Sequence, residues 1–96
     1  AKLLEKVGVF SIVLECIKTP LAKRITNELK ILTIGIGASS YCDGQVLVTD
    51  DLIGLNQINV RFVKKYSNIT KHINSAIIEY KNDVKEKKFP QKKHSY

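Results

Sequence analysis

Methionine and tryptophan are absent, cysteine and proline occur only twice each, and no apolar run approaches the length of a membrane-spanning helix. Such a helix needs about 18 uninterrupted apolar residues, so a helical transmembrane protein is excluded. The missing methionine, and an opening inside a helical pattern with no capping residue before it, point to a fragment of something longer. No secretory leader is expected either. Ala1-Lys2-Leu3-Leu4-Glu5-Lys6 has the pattern of an amphipathic helix, with no basic segment leading into an apolar core. Cys16 and Cys42 lie far apart and form no CxxC pair. Two scattered thiols argue against a disulfide framework or a zinc site and suit a reducing, cytoplasmic compartment.

What is present suffices for one ordered domain and is too short for two. Of the 96 residues 44% are hydrophobic, and 16 Lys and Arg against nine Asp and Glu give a net charge of +7. Residues 1–7 read as the last turns of a helix, with Leu3, Leu4 and Val7 on one face and Gly8 as the residue that ends it. Val9-Phe10-Ser11-Ile12-Val13-Leu14 is nearly continuous apolar sequence rich in β-branched residues, the pattern of a strand buried on both faces. Thr19-Pro20 predicts a helix start, with Thr19 as N-cap and Pro20 at the first helical position. Leu21, Ala22, Ile25 and Leu29 form its inward stripe. Residues 31–36 predict a second buried strand, 37–44 a loop, and 45–49 a third, shorter strand. Residues 50–54 predict a turn or single helical turn, and 60–66 a short helix. Ile69, Ile73, Ile77, Tyr80 and Val84 recur at helical spacing across 69–85. The basic tail, 87–96, is expected to wrap along a surface or fray.

Strands alternating with helices predict βαβ units and a parallel sheet. Both long strands are apolar throughout, so each expects sheet neighbours and a covering layer. Three strands with this few helices cannot cover both of their faces. Burial alone therefore predicts part of a larger α/β domain.

Glu15 follows the first strand directly. In (β/α) barrels and open α/β sheets, catalytic groups sit just past the carboxyl ends of strands. A partly buried carboxylate there would have its pKa raised toward neutrality and could act as a general base. The bland alternative is a solvated acid in a βα loop. In Gly35-Ile36-Gly37-Ala38, Gly35 and Gly37 allow a close backbone approach to a ligand, or a sharp turn, which is the commoner use. A dinucleotide fingerprint would need a third glycine and a helix start that are missing. Asp43-Gly44 is a turn dipeptide before it is a site. The carboxylates of adjacent Asp50 and Asp51 diverge, and no histidine or third acid lies close in sequence, which argues against a metal site. His72 falls on a polar helix face and His94 in the tail, without partners for a triad or zinc. Residues 81–96 carry six lysines against Asp83 and Glu86, so a nucleic-acid interface is the sharper reading of the tail. Arginine is scarce, and Phe89 and Tyr96 do not interleave as a stacking platform, so a solvated surface is preferred.

Taken in order, Val13-Leu14-Glu15-Cys16, Leu21-Ala22-Lys23-Arg24-Ile25-Thr26, Ile34-Gly35-Ile36-Gly37-Ala38 and Cys42-Asp43-Gly44-Gln45-Val46-Leu47-Val48 form a specific set. With Arg61-Phe62-Val63-Lys64, Phe89-Pro90 and His94-Ser95-Tyr96, the set closely resembles the C-terminal part of the ketopantoate (3-methyl-2-oxobutanoate) hydroxymethyltransferase family, across essentially the whole chain. The resemblance implies a TIM barrel, (β/α)₈, of the phosphoenolpyruvate/pyruvate type, with these residues supplying about strands six to eight. Such barrels run to about 250 residues, so about 150 more are expected upstream. It also implies a reaction. Mg²⁺ chelated by 3-methyl-2-oxobutanoate stabilises an enolate, which attacks the one-carbon unit of 5,10-methylenetetrahydrofolate to give 2-dehydropantoate for pantothenate and coenzyme A synthesis. Glu15 matches the family's proton acceptor. The metal ligands and a substrate-holding lysine belong to earlier strands, so no metal ligand is expected in this chain, and the isolated piece is expected to be inactive. Small-molecule substrates and a large homo-oligomer, a decamer, are implied partners, with no nucleic acid and no membrane.

Three departures stand out. Lys18 replaces a usual proline, with Pro20 two places later; Ser39 replaces a usual glycine; and the 56–61 segment is about one residue short and lacks a Pro-Lys pair. They bear on the folate side of the site and none touches Glu15. The alternatives are another Mg²⁺-dependent carbon–carbon lyase of the same superfamily and, from a different class, a small basic nucleic-acid-binding module.

Overall fold

The computed structural model describes residues 1–96 and follows the predicted order of elements. Helix α1 (Lys2–Lys6) ends before Gly8, whose φ of +91° lies in the left-handed region open to glycine. Strand β1 (Ser11–Glu15), helix α2 (Thr19–Glu28) and strand β2 (Leu32–Ile36) form one βαβ unit. Strand β3 (Gly44–Gln45), helix α3 (Thr49–Leu52), helix α4 (Ile69–Lys85) and a 3-10 turn at Lys92–His94 complete the chain. The three strands form one parallel sheet in the order β1-β2-β3.

Side chains alternate along a strand, so the register sorts them by face. Ile12 lies opposite Thr33 and Leu14 opposite Gly35, and these four share the face that α2 covers. There Ala22 is fully buried against Ile12, Leu14 and Cys42, with Ile25 and Leu29 packed around them. The other face carries Val13, Glu15, Leu32 and Ile34, and Val13 and Leu32 are 60% and 59% exposed. Within this chain the strands are thus buried on one face only, as expected of too few helices to cover both. One helix layer covers one face, and nothing within the chain covers the other.

Several boundaries also move. β1 begins at Ser11 rather than Val9 and includes Glu15. β3 leaves the sheet early, its last bond running from the Val46 N–H to the Gly35 carbonyl at 3.0 Å. Lys18 rather than Thr19 holds the N-cap of α2, while the Thr19 hydroxyl donates to the Ala38 carbonyl at 3.5 Å. Leu21 faces the groove between α1 and α2 instead of the sheet and is 49% exposed. Residues 60–66 form turns and no helix, with Phe62 packed over Gly37.

Helix α4 matches its predicted bounds, and its start is well tied. The Asn68 side chain caps the Lys71 N–H at 3.1 Å, and the Thr70 hydroxyl donates to the Gly54 carbonyl at 2.8 Å. Its stripe of Ile73, Ile77, Tyr80 and Val84 nonetheless remains exposed. The tail wraps back on it, with the Phe89 ring edge-on to Tyr80 at 5.6 Å and 5.3 Å from His94. The radius of gyration is 22.4 Å, against about 12–13 Å for a compact chain of this length. Only eight of 96 residues are buried, so the chain does not enclose a core sufficient for a self-standing domain.

The most ordered polar feature is a knot around Thr33, the largest fully buried side chain. Its N–H and its hydroxyl both donate to Asp43 Oδ2, at 2.8 and 3.0 Å. With that proton committed, Thr33 Oγ1 accepts from the Thr26 hydroxyl at 2.8 Å and from the Asp43 N–H at 3.3 Å. One hydroxyl therefore ties α2, β2 and the approach to β3. The Thr33 backbone N–H, followed by its hydroxyl, holds the Asp43 carboxyl below its ordinary value. A carboxyl with a depressed folded pKa stabilises above its unfolded value, and that contribution is lost as pH falls through the folded one. Thr33→Val in the intact protein is expected to cost about 1–3 kcal/mol in denaturant melts, the usual range for buried hydrogen-bonded groups. A second check is NMR titration of Asp43, whose midpoint should fall below the ordinary 3.8; a midpoint at or above that value would remove the knot.

Candidate active site

Cys16 and Gly37 follow β1 and β2 directly, and both line an open cleft of about 810 Å³ at the carboxyl ends of the strands. Its other walls include Ile17, Lys18, Ser39, Gln45, Arg61 and Phe62. Gln45 shapes it by donating from Nε2 to the Ser39 carbonyl at 2.7 Å. Ser39 is buried, and its hydroxyl accepts from the Tyr41 N–H at 3.2 Å, which tightens the loop after β2.

Glu15 is the last residue of β1, exposed, and on the face away from α2. The partial burial expected for it is not supplied within this chain, because that face is uncovered. Directly after it, the Cys16 N–H adds one more rung to the ladder, donating to the Ile36 carbonyl at 2.9 Å. Cys16 then turns the chain away with a φ of +53°, a conformation that costs a non-glycine residue about 1–2 kcal/mol. Such strained residues concentrate at functional sites. Nothing in the sequence pattern marks Cys16 for this role.

Both glycines singled out in the sequence are closely approached, by side chains of the chain itself. A Cβ on Gly35 would stand 2.9 Å from the Gln45 amide and 3.2 Å from Cys42 Sγ. One on Gly37, whose φ is +61°, would stand 2.6 Å from Phe62 Cγ. The other candidates lie elsewhere. Asp43 belongs to the Thr33 knot, and Asp51 accepts from Asn56 Nδ2 at 2.9 Å. His72 lies exposed on α4, and His94 Nδ1 accepts from the Gln91 N–H at 3.2 Å within the tail. No three His, Cys, Asp or Glu side chains gather into a cluster able to hold a metal ion. These residues therefore do not fit the Mg²⁺ that the family resemblance implies, and no chemical step is assigned to it. In the sequence Ser39 and the 56–61 segment stand out only as departures from the family pattern, and that Ser39, Gln45, Arg61 and Phe62 meet around one cleft is visible only in three dimensions.

These features define an α/β protein with a small parallel sheet, a cleft at the carboxyl ends of its strands, and a carboxylate, Glu15, at the end of β1 outside the cleft lining. The ketopantoate hydroxymethyltransferase family model matches residues 1–92, and the chain belongs to that family. It is 68% identical over 96 residues to the 3-methyl-2-oxobutanoate hydroxymethyltransferase of Pelagibacter ubique (strain HTCC1062), covering all of this chain and 37% of that one. The enzyme of that name from Syntrophus aciditrophicus (strain SB) is 50% identical over 97 residues, covering 100% of this chain and 36% of its own. Its counterpart from Saccharolobus solfataricus (strain P2) is 54% identical over 91 residues, covering 95% and 34%. The chain thus spans about a third of the length of these curated relatives.

Gly37→Ala tests the close approach at the cleft floor. In the intact protein it should lose at least about 1–2 kcal/mol in denaturant melts, from left-handed strain alone, with Phe62 displaced in addition. An unchanged midpoint would show that the turn at Gly37 tolerates a side chain.

Proposed function

We propose that the intact protein transfers a hydroxymethyl group from 5,10-methylenetetrahydrofolate to 3-methyl-2-oxobutanoate, and that Glu15 is the proton acceptor. The observation that carries this is the placement of Glu15, at the carboxyl end of a parallel strand and on its uncovered face, in a chain of this family. The carboxylate removes the proton on C3, and the electron pair of that C–H bond moves toward the adjacent keto group. C3 then bonds to the one-carbon unit. Both carbon–nitrogen bonds of that unit break in the transfer. Water supplies the hydroxyl group, and the proton taken up by Glu15 and the second proton of water go to the two released nitrogens of tetrahydrofolate. The product is 2-dehydropantoate, a precursor for pantothenate. On this reading, covering the open face of β1 and β2 in the complete protein partly buries Glu15 and makes it a better base.

The same reading places residues 1–96 as the C-terminal part, about strands six to eight, of a single TIM barrel, with the uncovered face turned to the barrel interior. Residues 87–96 are then its basic tail. Mg²⁺ is held by residues other than these, and the backbone at Gly35 and Gly37 borders the substrate region. Assembly into a large homo-oligomer, a decamer, accompanies it, in the cytoplasm. No helix of the chain is long and apolar enough to cross a membrane.

Glu15→Gln in the intact protein should lower kcat about 10²- to 10⁴-fold, the range for removing a general base, with little change in keto-acid binding. Wild-type turnover in that variant would sink the assignment. The isolated 96-residue chain, given Mg²⁺ and both substrates, should form no 2-dehydropantoate. Product from it would mean that these residues already contain a complete site.

A further inference from the structure

We propose that the cleft at the carboxyl ends of β1, β2 and β3 receives the anionic glutamyl tail of the folate cosubstrate, held by Lys18 and Arg61. This rests on the hydroxymethyltransferase reading and names which part of one substrate the cleft takes.

The first support is charge. Lys18 and Arg61 are the two cations lining the cleft, and no Asp or Glu lines it. The acids that form ion pairs, Glu28 and Glu86, pair with Lys2, Arg24 and Lys88 and leave Lys18 and Arg61 unengaged. Lys18 also stands at the N-cap of α2, a ten-residue helix with no side-chain cap, so the positive end of that helix opens at the same place.

The second support is shape. Gly37, Gln45 and Phe62 line this cleft and also an adjoining, more apolar chamber of about 570 Å³ bounded by Val46, Leu47, Tyr66 and, as its one cation, Lys64, which lies over the Tyr66 ring. The two spaces thus adjoin at Phe62, whose side chain borders both. An occupant that satisfies both is long, with a flat aromatic part to lie against Phe62 and carboxylates at one end for the two cations. A five-carbon keto acid fills neither space. A folate has that build, and each added γ-linked glutamate brings one more carboxylate.

The test is equilibrium binding of 5-formyltetrahydrofolate, with one and with three glutamates, to the intact protein at low and high salt. The triglutamate should bind more tightly, and its advantage should shrink as salt rises. The Lys18→Ala/Arg61→Ala double variant should lose roughly tenfold in triglutamate affinity, the scale expected for two exposed ion pairs, and bind both forms alike. Lys93→Ala, a charge change in the tail, should behave as wild type. Equal wild-type affinities for the two forms, no binding of either, or a double variant matching wild type would each overturn the proposal. Hydrogen–deuterium exchange at C3 of 3-methyl-2-oxobutanoate, measured without folate, separates the two readings. Exchange in wild type and double variant alike shows that the double variant is folded and that the catalytic reading stands whatever the tail does. No exchange in wild type counts against the catalytic reading, while the folate titration still decides the cleft.

Discussion

The cleft depends on a single buried hydroxyl, that of Thr33. By donating to Asp43 and accepting from Thr26, it fixes where the loop after β2 returns to the sheet. Gly44 then pairs with Ile34 and Gln45 with Gly35. Only with Gln45 in that place can its amide reach the Ser39 carbonyl and cover Gly35, which builds one wall of the cleft. A polar contact near the start of β2 thus shapes the space at its far end. Burying so much hydrogen-bonding capacity is tolerable because the donors and acceptors of the Thr33 side chain find partners, and no buried side-chain polar atom is left unsatisfied.

The sheet has two unlike faces, and they divide the work. Ile12, Leu14 and Thr33 face α2 and supply the packing that this chain can make alone. Val13, Leu32 and Glu15 lie on the other face, which remains open. The carboxylate is therefore carried by the strand that anchors the packed layer, while its side chain lies on the open face. Positioning of this kind holds a side chain on a regular element rather than on a loop.

Much of the architecture was legible because it rests on local rules. The apolar runs marked β1 and β2, Gly8 marked the end of α1, and the spacing of Ile69, Ile73, Ile77, Tyr80 and Val84 marked α4 to the residue. What misled were the decisions made by tertiary contact. Residues 60–66 have a pattern that allows a helix, yet Phe62 packs over Gly37 and the segment turns instead. Residues 46–49 are apolar enough for a strand, but β2 offers β3 only a short run of partners. For the candidate site, the place of Glu15 at the carboxyl end of β1 was legible from the apolar run before it. The meeting of Ser39, Gln45 and Arg61 around one cleft was not, since it depends on loop paths that no spacing encodes. Asp43 looked like a turn residue, and the turn is real, but its carboxylate serves the buried hydroxyl of Thr33.

The five-residue span of β1 has a further consequence. Because neighbouring side chains point to opposite faces, the parity of the count from the Ile12–Thr33 pairing to Glu15 decides which side of the sheet the carboxylate reaches. Inserting or deleting one residue between Ile12 and Leu14 would leave composition and charge almost untouched. It would nonetheless swing Glu15 into the layer occupied by Ala22, where a carboxylate has no room and no solvent. Length change is therefore the least forgivable mutation in this strand, and gaps should be rarer here than in any loop of the chain.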